Sequence, residues 1–167
     1  SLEEPNENVF FILIHNTGSM ILDTLKSRCI EFRALLSQSS VKLIVDDYYS
    51  EKIYNLLSND LISYYNNPSF IIALINYLKE NSLDYSNLKI ENLIYFVIKN
   101  KHYVKDQFII ENINILIELF FYKNIKLANN VTFKVKNYFY FKFNQIQKYN
   151  LDLESFFLEF EEKLLSE

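Results

Sequence analysis

Val9-Phe10-Phe11-Ile12-Leu13-Ile14 is a run of six apolar residues, mostly β-branched or aromatic, bounded by Pro5 and Asn6 before it and by Asn16 and Gly18 after it. A short uninterrupted apolar run between turn formers reads as a strand buried on both faces, the kind found in parallel sheets covered by helices. Such a strand needs ladder partners on its edges and cover on its faces, and nothing before it in the chain supplies them. The expectation is that residues 1–36 are the last part of an α/β layer and that the chain is the C-terminal portion of something larger. Ser19 is placed to cap a short helix from Met20 to Lys26, and Cys29 to Phe32 alternates in a way that suits a second brief strand.

Beyond this run the pattern turns helical. Of the 167 residues 50% are hydrophobic and 23% charged, enough apolar side chain to bury a real core. One glycine and two prolines leave few of the residues that all-β folds consume in turns. Asparagine takes their place: Asn59, Asn66, Asn67, Asn81, Asn100, Asn129, Asn130 and Asn150 fall between apolar segments, where Asn can cap a helix start or adopt the left-handed conformation at its end. The fold class expected is mainly α, with a sheet remnant at the N-terminus.

Helical stripes divide the rest into two groups. In residues 37–82 they are Val41, Ile44, Val45 and Tyr48, then Ile53, Leu56 and Leu57, then Leu61, Ile62 and Tyr65. Asn67-Pro68, a cap followed by proline at the first helical position, opens a helix with Ile71, Leu74, Ile75 and Leu78 inward. Residues 83–167 form a second group, with Leu93, Phe96 and Val97 on one helix. A longer helix carries Ile109, Ile113, Leu116, Ile117 and Phe120, and sets Gln107, Glu111, Asn114 and Glu118 on its polar edge.

Phe133 to Phe143 is ambiguous. Its aromatic residues recur every second position, a strand signal, yet at helical pitch Val135, Phe139, Phe143 and Ile146 share one side while Lys134, Asn137, Asn144, Gln145 and Lys148 share the other. Helical neighbours favour a helix. A last helix from Asp152 to Leu165 turns Phe156, Phe157, Phe160 and Leu164 inward.

Composition also bounds function. A formal charge of −4 excludes a general electrostatic footprint for nucleic acid, so any such contact is local or shared. A single cysteine, Cys29, excludes an internal disulfide and a multi-cysteine zinc site, and no metal is implied. No signal peptide or membrane-spanning stretch is recognisable, and with the lone cysteine this leads to the expectation of a cytoplasmic protein without a membrane partner. There is no phosphate-binding loop of the GxxxxGK[ST] type. His15 and His102 lack the neighbours of a ligand set or triad. Asp46-Asp47 point about 100° apart on a helix and do not converge.

Arg28, beside Ser27 at the end of a short helix, would alone be a surface residue. Its context changes this. The succession Leu2-Glu3-Glu4-Pro5, Val9 to Asn16, and Leu25-Lys26-Ser27-Arg28-Cys29 resembles the clamp-loader branch of the AAA+ ATPases in order and spacing. The resemblance implies an AAA+ α/β module ending within residues 1–36, a helical lid over 37–82 and a helical collar over 83–167. It further implies Asn16 near the sensor 1 position and Arg28 as an arginine finger flanked by Ser27 and Cys29. The finger would act in trans on ATP and magnesium held by a neighbouring subunit, with no cofactor in this chain.

The implied partners are other loader subunits, delta and gamma/tau, and through them the sliding clamp and primed DNA. Hydrolysing members carry a sensor 2 arginine after the position of Asn67-Pro68; here Phe70 and its neighbours are uncharged, which favours a non-hydrolysing subunit. Two alternatives stand beside this: an ATP-hydrolysing motor subunit of the gamma/tau type, and a helical adaptor without a nucleotide role.

Overall fold

The structure, a computed structural model, describes residues 9–14, 22–32, 36–64, 67–125, 130–149 and 151–165. Among these residues the secondary structure is helical: α1 (Asp23–Lys26), α2 (Gln38–Tyr49), a 3-10 turn (Tyr54–Leu56), α3 (Asn59–Ile62), α4 (Pro68–Glu80), α5 (Ile90–Lys99), α6 (His102–Lys105), α7 (Gln107–Ile125), α8 (Asn130–Tyr149) and α9 (Glu154–Leu164). The chain divides into two compact units, residues 1–35 and 36–167.

In the first unit, Val9 to Ile14 is not a buried strand. It has no regular secondary structure, and its exposures, in order, are 45, 92, 54, 87, 46 and 92%. The alternation has the period of two expected of extended backbone, but both faces are open. Cys29 to Phe32 likewise forms no strand, with Ile30 and Phe32 more than four-fifths exposed. The physical reason is the same for both: an extended segment satisfies neither its backbone nor its side chains by itself, and the described residues offer no strand to pair with. The short helix described runs from Asp23 to Lys26; Ser19 and Met20, where the sequence sets its cap and start, lie outside the described residues.

The second unit has one continuous core running from Val41 to Phe160. α4 forms as the sequence predicts. The Asn67 side chain accepts hydrogen bonds from the amides of Ser69 (2.9 Å) and Phe70 (3.4 Å), Pro68 occupies the first turn, and Ile71, Leu74, Ile75 and Leu78 are fully buried. Asn-to-Ala at such a cap typically costs about 1 kcal/mol. α7 buries Ile109, Ile113, Leu116, Ile117 and Phe120, the whole predicted stripe.

Residues 130–149 are helical, which settles the ambiguous aromatic segment: Phe139, Phe143 and Ile146 are buried. The rings of Phe139 and Phe143 there meet Phe121 of α7 and Phe156 and Phe160 of α9, while Phe157 packs on Tyr103 of α6. Rings of Phe139 and Phe160 lie 5.2 Å apart and those of Phe139 and Phe156 5.7 Å apart, both edge to face. Pairs in this geometry add about 0.5–1.5 kcal/mol beyond their burial.

α2 departs from its predicted stripe. Val41 and Val45 are buried, but Ile44 and Tyr48 are 41% and 62% exposed, and the third inward position is Tyr49. A partner on α4 decides this: the Tyr49 hydroxyl donates to Oδ1 of Asn76 (2.6 Å) and lies 3.0 Å from the Ile72 carbonyl, and Lys79 Nζ sits 4.4 Å from the ring centre. In the next segment Ile53, Leu57, Leu61 and Ile62 are buried, Leu56 is 54% exposed, and Tyr65 lies outside the described residues.

Asn67 caps a helix start as expected, but at helix ends asparagine works by a different device from the left-handed one. Asn81 and Asn100 keep right-handed or bridging backbone, and each side-chain amide donates back to the carbonyl four residues earlier, on Tyr77 (2.8 Å) and Phe96 (2.9 Å). The residue that follows takes the left-handed turn: Ser82 at φ 54° and Lys101 at φ 53°, with Ser50 at φ 54° after α2. The amide of Leu83 then reaches the Leu78 carbonyl (2.9 Å) and that of Glu51 the Asp46 carbonyl (3.1 Å), the six-to-one bond of a Schellman cap.

Candidate functional site

The turn that presents Arg28 is built mainly by backbone hydrogen bonds. α1 is a single turn whose N-cap, Leu22, has no side chain able to accept a bond. The amides of Leu25 (2.9 Å) and Lys26 (3.0 Å) both reach the Leu22 carbonyl, and Ser27 N–H reaches Asp23 (2.9 Å). The ladder then tightens: Arg28 N–H donates to Leu25 O (3.1 Å) and Cys29 N–H to Lys26 O (3.4 Å), spacings of three instead of four. Ser27 Oγ donates to the Thr24 carbonyl at 3.1 Å and so ties the turn a second time.

Ser27, Arg28 and Cys29, consecutive in sequence, are all exposed at this turn. Asn16 and His15 lie outside the described residues. A guanidinium there is positively charged and offers a planar fork of donors suited to phosphate or carboxylate oxygens. Lys26 adds a second cation in the same turn.

Phe70 stands where a nucleotide-contacting arginine would be expected in a hydrolysing relative of the resembled family. It is 5% exposed and packs against Phe108, with ring centres 5.8 Å apart. Its role is in the core.

Three polar constellations in the second unit were not signalled by the sequence. Glu159 on α9 accepts from Lys142 on α8, from Lys163 at 2.6 Å and from the Tyr138 hydroxyl at 2.8 Å, and these donors, Lys142 foremost, hold its carboxyl down at about 2. Lys123 on α7 joins Asp60 of α3 and Glu91 of α5, the latter at 3.1 Å. Buried Tyr77 shares a 2.6 Å hydrogen bond with Nδ1 of His102, and burial, then the charge of Asp106, raises its hydroxyl pKa. Apart from the i,i+4 pair of Glu159 with Lys163, their bonds join different helices 17 to 63 positions apart, which local spacing does not reveal.

None of these arrangements is a catalytic set. Glu159 and Lys123 are matched by their partners, and among the described residues no group of three or more His, Cys, Asp or Glu side chains could hold a metal ion. A groove between α5, α6 and α9, lined by Tyr95, Lys101, Tyr103, Glu154 and Phe157, has a volume of about 190 Å³. That is below the range of roughly 300–1,000 Å³ usual for small-molecule sites. Among the described residues no helix is long and apolar enough to cross a membrane. Comparison of the chain with protein-family models, with curated proteins and with solved structures finds no match in any of the three.

Proposed function

We propose that this chain is a clamp-loader subunit of the replicative DNA polymerase, of the delta-prime type in bacterial DNA polymerase III, and that Arg28 acts in trans on a neighbouring subunit's ATP. The observation that carries this reading is the Ser27-Arg28-Cys29 turn, exposed at the end of a short backbone-tied helix and preceded by the Leu-Glu-Glu-Pro and apolar segments in the order of that family. A guanidinium in this position meets a partner's γ-phosphate and stabilises the charge that grows as its bond breaks. Residues 1–36 then belong to an AAA+ α/β layer. Residues 37–82 are the lid and 83–167 the collar. The buried position of Phe70 favours the non-hydrolysing subunit over the gamma/tau-type motor, because that side chain is committed to packing.

The test is the ATPase of a loader reconstituted from this chain with delta and gamma/tau subunits. Arg28→Ala is expected to lower the turnover of the assembly without preventing its formation on size exclusion. Fingers in other nucleotide hydrolases are worth about 10³–10⁵ in rate, which sets the upper scale. Unchanged ATPase in an assembly that contains the variant overturns the reading.

A further inference from the structure

We propose that the outward face of α8 is a binding strip for single-stranded nucleic acid. α8 carries four lysines and no acidic residue over 20 positions, in a chain whose net charge is −4. With Phe139, Phe143 and Ile146 turned into the core, helical pitch sets Lys134, Asn137, Phe141, Asn144 and Lys148 along the opposite face, and all five are exposed. Phe141 lies at the centre of this arc, and it is 65% exposed on a helix whose other phenylalanines beyond Phe133 are buried. Tyr138, 46% exposed, flanks it, with Lys163 of α9 held 5.1 Å from its ring centre.

Rings for base stacking, lysines for phosphates and amides for base edges are the elements of a single-strand platform. From Lys134 to Lys148 the strip runs about 21 Å at 1.5 Å per residue, room for several nucleotides. Of the acidic groups nearby, Glu159 is held by Lys142, Lys163 and Tyr138, Glu118 faces Tyr140, off the outward arc, and Glu162, exposed on α9, lies close enough to act on Lys163 at the flank. An anionic membrane is the poorer match, because a surface helix buries a continuous apolar face in lipid. In α8 that face is spent on the protein's own core, and the outward one interleaves its rings with amides. The inference does not depend on Arg28, and each can fail without the other.

The test is a fluorescence-anisotropy titration of the full chain with a labelled oligothymidine of about 15 nucleotides, within the site sizes such platforms cover. Binding is expected at low salt. Phe141→Ala is expected to weaken it about tenfold with unchanged circular dichroism, and Phe141→Tyr to retain it. Lys134→Gln with Lys148→Gln is expected to lower the slope of log affinity against log salt by about 1.4. The proposal is overturned if the oligonucleotide does not bind, if Phe141→Ala binds as well as the parent, or if phosphatidylserine vesicles or polyglutamate bind in its place.

Discussion

Val9 to Ile14 and the Ile71 to Leu78 portion of α4 are both strongly apolar, yet the first is open on both faces while Ile71, Leu74, Ile75 and Leu78 are entirely covered. The difference lies in what each backbone needs. A helix closes its hydrogen bonds internally and asks only for side-chain cover on one stripe. An extended segment needs a neighbouring strand before its side chains can be buried at all. Apolar character therefore announces a requirement for partners in both stretches, but only the helical one is met within the described residues.

The sharpest way to break this contrast is to cut large side chains on each side of it. Phe139→Ala or Phe156→Ala should cost about 3–5 kcal/mol, because each empties a fully buried place among the α7, α8 and α9 aromatics. Phe10→Ala, at 92% exposure, should stay within about 0.5 kcal/mol in the isolated chain. Urea denaturation of the three variants checks both halves, and a costly Phe10 variant would mean that the apolar run is covered after all.

Acid should act selectively on the helical unit. The carboxyl of Glu159 titrates at about 2 in the folded chain against an ordinary 4.5, so its network contributes stability above pH 4.5 that is lost as the pH falls toward 2. Thermal melts of Glu159→Gln should show a weaker loss across that window than the parent. An identical profile would remove the network from the account.

Caps give smaller effects. Asn67→Ala should cost about 1 kcal/mol, read as a lower denaturation midpoint with unchanged slope. Ser82→Gly should stabilise by about 0.5–1 kcal/mol, because glycine takes the left-handed turn without the steric cost that serine bears at φ 54°. Tyr54→Phe should be neutral or slightly stabilising: the hydroxyl is buried and has no hydrogen-bond partner among the described residues. Measurable destabilisation by that change would point to a bridging water.

How far the fold can be read from residues alone follows from how local its causes are. Asn67-Pro68, the α7 stripe and the inward residues of α9 are set by contacts within a few positions, and each is found where spacing placed it. The aromatic segment at 133–143 was legible only by weighing helical pitch against a two-residue period. Tyr49 displaced Tyr48 as the inward residue because Asn76, 27 positions away, offers the oxygen its hydroxyl needs. The Ser27-Arg28-Cys29 turn was marked by its order in the sequence; the Glu159, Lys123 and Tyr77 constellations were not, since their members lie up to 63 positions apart.

By itself the chain determined that it is mainly helical, where α4, α7 and α9 run and which stripes they bury, because helix formation and amphipathic spacing are properties of neighbouring residues. Tertiary structure alone decided that Val9 to Ile14 stays open, that Tyr49 points inward and that Phe141 points out. Those outcomes depend on whether a partner is present across space, and no local pattern records that.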